Sequence, residues 1–86
     1  ENLYDDLIEQ IRRYSLEVPG ILGTEKCYVR KIGMRYHVDL HAIVAGDITV
    51  HDGHKLAHEL QDYLKQQIPE IGNCLIHVEP YHEVIK

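Results

Sequence analysis

The chain has 86 residues, 44% of them hydrophobic and 27% charged, which is enough for one compact core and too little for two. Its formal net charge of −5, with Lys and Arg scattered along the chain, argues against a phosphate-binding face, so no nucleic-acid partner is expected. No apolar run approaches the roughly 20 residues needed to cross a bilayer, and the start lacks a signal-peptide pattern, so residues 1–86 are expected to form a single soluble domain.

The opening Glu1-Asn2-Leu3-Tyr4 is similar to a protease tag, but Asp5-Asp6 breaks the match and the segment reads as native chain. Across residues 2–16, Leu3, Leu7, Ile8, Ile11 and Tyr14 follow the spacing that lines one helix face. Acids open this helix and Arg12-Arg13 close it, the polarity that suits the helix dipole. Val18-Pro19-Gly20 ends it, because proline drives the residue before it out of the α region and glycine permits the turn that follows.

A strand is predicted over residues 27–32, with Gly33-Met34 as a hairpin turn and Arg35–Val44 as the longer partner. In that partner Tyr36, Val38, Leu40, Ala42 and Val44 fall on one side, and His37, Asp39 and His41 on the other. Thr49 followed by Asp52 has the form of a capping box and opens a second helix that runs to Gln67, where Pro69 stops it. Leu56, Ala57, Leu60, Tyr63, Leu64 and Ile68 make its apolar stripe, while His51, His54 and His58 sit at i, i+3 and i+7 on a different face. Residues 73–79 alternate again, Cys74, Ile76 and Val78 against Leu75, His77 and Glu79, and Pro80 closes the strand. Residues 81–86 carry no strong periodicity and are expected to form a short extension.

The order α-β-β-α-β predicts an α/β (α+β) domain: a three-stranded mixed sheet, its second and third strands parallel through a helical crossover, with two helices on one face. The other face stays open and carries histidines. Seven histidines are several times ordinary usage, and imidazole is the commonest protein ligand for transition metals. If the second and third strands are neighbours, His41, flanked by His37 and Asp39, faces outward beside His77 and Glu79. Such a set suits Zn²⁺, which accepts imidazole nitrogen and carboxylate oxygen together. A strand histidine facing water is ordinarily a plain surface residue, but two strands presenting one each beside a carboxylate favour ligation. His37, His51, His58, His82 and Asp39 have less to support them. Cys27 and Cys74, far from any C-x-x-C spacing, read as small hydrophobes in a reduced compartment, with a disulfide as the lesser alternative.

Four segments, Val18-Pro19-Gly20-Ile21-Leu22-Gly23, Val38-Asp39-Leu40-His41, Thr49-Val50-His51-Asp52-Gly53-His54 and Ile76-His77-Val78-Glu79-Pro80, resemble in order the cytoplasmic C-terminal domain of cation diffusion facilitator (CDF) transporters. The resemblance implies a ferredoxin-like, metallochaperone-like fold, a homodimer, and a regulatory role on the cytoplasmic side of a membrane, beside a membrane-spanning domain that this chain lacks. It implicates His41, His77 and Glu79 as metal ligands, with His54 completing the site. Glu25 stands where some relatives have His or Asp, and its carboxylate keeps the capacity to ligate. The cation implied is divalent, zinc first. Residue Glu1 would mark the membrane-linked end, with closure of the dimer passing through the first helix.

Two other classes compete. A stand-alone small-molecule or metal-carrier domain shares such a fold, but a carrier is expected to present an exposed thiolate pair, which is missing here. Hydrolysis of the acylphosphatase kind needs a phosphate-cradling loop with an arginine. The apolar Gly20–Gly23 segment does not supply one, and no Ser-His-Asp or Cys-His spacing stands out, so the chain is not expected to be an enzyme.

Overall fold

The computed structural model describes residues 3–82. The elements run α1 (Asp5–Ser15), β1 (Gly23–Ile32), β2 (Arg35–Val44), α2 (Val50–Gln67) and β3 (Ile71–Pro80). The sheet order is β1-β2-β3, with β1 antiparallel and β3 parallel to the central β2. The predicted α-β-β-α-β domain is therefore the observed one. The expected Glu1 terminus and most of the expected tail extension lie outside the described residues.

Helix α1 begins at Asp5 rather than at residue 2, because the first helical carbonyl is that of Tyr4, which accepts from the Ile8 amide at 2.9 Å. Ile11 and Ser15 are its buried residues, and the Ser15 hydroxyl donates to the Ile11 carbonyl at 2.6 Å, so the one buried polar side chain among the described residues is satisfied. Gly20, which follows this helix, takes a φ of 100° and lies so near Leu56 of α2 that a Cβ there would sit 3.0 Å from its methyl.

Strand β1 starts four residues earlier than the alternation suggests. Gly23 and Thr24 pair with Ile43 and Ala42, after which the register shifts before Cys27 pairs with Leu40. Three steps along β1 thus match two along β2, the signature of a β-bulge, and Glu25 and Lys26 together oppose His41. This extra residue breaks the period of two and hides the strand's first half from a pattern reading. Gly33 takes a φ of 64° at the first of the two turn residues, where type II′ hairpins use glycine.

Thr49 caps α2 as predicted, its hydroxyl accepting from the Asp52 amide at 3.0 Å. Val38, Leu40, Ala42 and Val44 of β2 form one buried face with Cys74 of β3, Ile11 of α1, and Leu60 and Leu64 of α2. Both helices therefore cover the same face, α1 against β1 and α2 against β3, and they touch each other. Burial of these aliphatic side chains is the main stabilising term, about 1.5 to 3 kcal/mol for each fully buried one. Cys27 and Cys74 are free thiols on this same face, held on β1 and β3 with β2 between them. Burial pushes both thiols up, Cys74 to about 12, so they are protonated hydrophobes rather than nucleophiles. No helix among the described residues is long and apolar enough to cross a membrane.

Candidate metal site on the open sheet face

Strand alternation leaves the opposite face of the sheet to Tyr28, Arg30 and Ile32 of β1, His37, Asp39, His41 and Ile43 of β2, and Asn73, Leu75, His77 and Glu79 of β3. No helix covers it. On this face the parallel register sets His41 directly opposite His77, and their rings stack with centroids 4.6 Å apart and planes 20° from parallel. Glu79, two residues beyond His77 and therefore on the same face, meets Nδ1 of His41 with its carboxylate. The pair is partly shielded, the His41 side chain 21% and the Glu79 side chain 36% exposed.

That hydrogen bond holds the Glu79 carboxyl below its ordinary range, opposed by partial burial and assisted by the charge on His41, by Glu25 and by Lys26. Glu25 and Lys26 act on Glu79 from the bulge in β1, whose register sets these two residues opposite His41. Two imidazoles and two carboxylates are thus assembled on three strands, with Lys26 nearby. A neutral His41 that donates from Nδ1 to a carboxylate keeps its Nε2 lone pair as an acceptor, the tautomer that a metal requires.

This donor set fits a divalent cation in its chemistry: borderline nitrogen, hard oxygen, and a carboxylate already orienting one ring. It is not closed into a cage, since no three His, Cys, Asp or Glu side chains among the described residues are gathered tightly enough to hold an ion. The arrangement is an open constellation that side-chain rotation would have to complete.

The expected ligands therefore divide. His77 and Glu79 each meet His41, and Glu25 stands beside them on the bulge without closing on an ion. His54 does not join them within the chain, because α2 packs on the far side of the sheet; its Nε2 lies instead 3.1 Å from Nε2 of His58, one helical turn on. His51 is exposed in the first turn of α2, and His82 is exposed beyond β3. His37 is half-buried opposite Arg30 and Asn73, two rows from the histidine pair, and Asp39 is half-buried opposite Tyr28 and Leu75, in the row next to the pair. The residue that pattern reading missed is Lys26, whose approach to Glu79 depends on a bulge that period-two alternation cannot signal. The i, i+4 spacing of His54 and His58 is the signal from which their meeting could have been read.

A family model for the cytoplasmic domain of cation efflux proteins matches residues 3–81. The chain belongs to this family. It is similar to metal tolerance protein C1 of Arabidopsis thaliana, 31% identical over 77 residues that make up 85% of this chain and 16% of that protein. It is also similar to the manganese efflux system protein MneP of Bacillus subtilis (strain 168), 27% identical over 78 residues, 91% of this chain and 26% of that one. The chain thus spans a quarter or less of one relative and about a quarter of the other. Among solved structures, a cadmium form of a MamM CTD variant superposes with a TM-score of 0.88 at 19% identity, covering 92% of this chain and 99% of that one. A manganese form of another MamM CTD variant gives 0.86 at 19% identity, with 90% and 98% covered. These superpositions establish the shared ferredoxin-like fold, and the family model places the chain among the cytoplasmic domains of cation efflux proteins.

Proposed function

We propose that this chain is the single regulatory and dimerising domain of a divalent-cation efflux transporter, sensing cytosolic metal through His41, His77, Glu79 and Glu25 on the open sheet face. The observation that carries this reading is the stacked His41–His77 pair with Glu79 on the His41 Nδ1. The family supplies the setting: the rest of such a protein would include the membrane-spanning part that moves the ion, and this domain would report on supply.

Regulation follows from population shift. A cation that needs ligands from three strands, and has room for one more from outside, binds more tightly to whichever arrangement of two copies completes its shell, and shifts the equilibrium toward that arrangement. A second copy also suits the exposed apolar side chains in the row next to the histidines, where Tyr28 and Leu75 are 59% and 52% exposed. His54 would enter this site only from a partner, since its own chain holds it on the other layer.

Zinc is the cation proposed, because two imidazoles with carboxylate oxygen form a set that zinc accepts in tetrahedral geometry. The second reading is Mn²⁺, favoured by the two carboxylates and by the manganese named for one relative. Calorimetric titration with Zn²⁺, Mn²⁺, Co²⁺ and Cd²⁺ decides between them. A preference that departs from the order such donors give any divalent cation, Mn²⁺ weakest, identifies the metal, and the double variant His41→Ala with His77→Ala should lose the binding event; unchanged binding there overturns the assignment. Sedimentation with and without the winning cation tests the dimer, and a chain that stays monomeric at high micromolar concentration with metal present removes that part of the reading.

A further inference from the structure

Two histidines of α2 have no part in the site above as the chain folds. His54 and His58 lie one turn apart on an 18-residue helix, both exposed, their Nε2 atoms 3.1 Å apart and their rings at 76° with centroids 4.5 Å apart. Two Nε2 atoms this close either share a proton or are placed to share a cation. The spacing suits both uses: a metal at about 2.0 to 2.1 Å from each nitrogen, with an angle between square-planar and tetrahedral, separates the nitrogens by about 2.8 to 3.4 Å. The observed spacing falls inside that interval. The i, i+4 relation is also the one by which a single helix presents two histidines to one zinc ion, since it returns both side chains to the same face.

There is room for the ion and its remaining ligands. A cavity of about 190 Å³, lined by His54, Ala57, His58, Gln61, Leu75 and Ile76, opens beside the two rings between α2 and the edge of β3. Gln61 is anchored there, its amide nitrogen donating to the Cys74 carbonyl.

We propose that His54 and His58 form a two-histidine clamp on α2 that binds a borderline transition-metal cation such as Cu²⁺, Ni²⁺ or Zn²⁺ through both Nε2 atoms, with water in its other positions. This is a second site in each chain, on the helix layer, built without His41, His77, Glu79 or Glu25, and it holds His54 away from a partner's sheet face when occupied. The ring that now donates its Nε2 proton must carry that proton on Nδ1 instead, so a neutral pair takes up the ion with no net proton release. Hard cations that prefer oxygen, such as Mg²⁺ and Ca²⁺, have little to bind here. With two protein ligands and open coordination, the clamp would exchange its ion readily with a chelate in solution.

The test is calorimetric titration of the 86-residue chain with Ni²⁺ and with Cu²⁺, comparing wild type, His58→Ala, and the double variant His41→Ala with His77→Ala. Wild type should bind one more equivalent per chain than His58→Ala, and the double variant should keep the equivalent that His58→Ala loses. His58 is exposed and alanine favours helix, so the variant should fold, which circular dichroism checks. If His58→Ala binds the same number of equivalents with the same affinity as wild type, the two rings only share a proton and the clamp is refuted. A second measurement on the unaltered chain guards against misfolding: substoichiometric Cu²⁺ should broaden the ring resonances of His54 and His58 together in NMR spectra, and broadening confined to His41 and His77 would also refute it. Failure of the sheet-face reading gives a different result, because the double variant then binds like wild type.

Discussion

The two histidine pairs of this domain are built on opposite principles. His41 and His77 meet because a parallel strand register sets them face to face, with a carboxylate fixing one ring and a bulge bringing a second carboxylate alongside. His54 and His58 meet because a helix repeats, and nothing but the 5.4 Å pitch of one turn holds them. The sheet pair therefore depends on the whole fold and can be tuned by neighbours from three strands. The helix pair depends on one element and has few neighbours to tune it.

The largest effect should come from the floor beneath both pairs. Leu40 is fully buried between His41's strand and the helices, and Leu40→Ala should cost about 2 to 5 kcal/mol in urea denaturation. Because the sheet pair needs tertiary structure, its metal binding should fall with the fold. Loss of the core without any loss of metal binding at the sheet face would break the contrast. Next in size, titration calorimetry at several pH values should show metal binding at both pairs weakening on acidification, because protons compete with the cation for imidazole nitrogen.

A smaller effect should follow from Thr49→Ala, which removes the hydroxyl that accepts the Asp52 amide and should cost about 1 kcal/mol by thermal denaturation. Fraying would begin in the first turn of α2, next to His54, and hydrogen exchange should show it there and not in β2. The smallest effect concerns Glu79. Its carboxyl is depressed in the folded chain, chiefly by the His41 hydrogen bond, so its contribution is in place above the ordinary carboxylate value of 4.5 and is lost as pH falls through the lowered folded value. Glu79→Gln should flatten that acid-side slope in a pH series of denaturation curves, and only slightly, because solvent still reaches over a third of the side chain and screens the pair. An unchanged slope would mean that the carboxylate does not orient His41.

How much of this was written in the residue pattern varies by element. The central strand was fully legible, since Val38, Leu40, Ala42 and Val44 alternate with His37, Asp39 and His41 without interruption, and burial on one face only demands that alternation. The first half of β1 was not, because the extra residue at Glu25-Lys26 abolishes the period there. For the same reason Glu25 was reachable through family resemblance alone, and Lys26 not at all. The His41–His77 meeting could be anticipated once the two strands were taken as neighbours, but its register could not, since parallel pairing is set by the crossover helix rather than by a short turn. His54 shows the opposite limit. Its helix face was read correctly, and only the resemblance drew it toward the sheet site, which its own chain cannot bring within reach.

The parallel pairing of β2 with β3 through α2 has a consequence for how an ion would be felt. His41 and Glu79 are adjacent in space yet separated along the chain by the entire crossover, so closing their contact must wait until a long segment has been ordered. An ion held across those strands would then lend its binding energy to the cooperative unit as a whole, slowing amide exchange from β2 to the end of β3 in step, where a ligand on a local hairpin would protect only its own few residues.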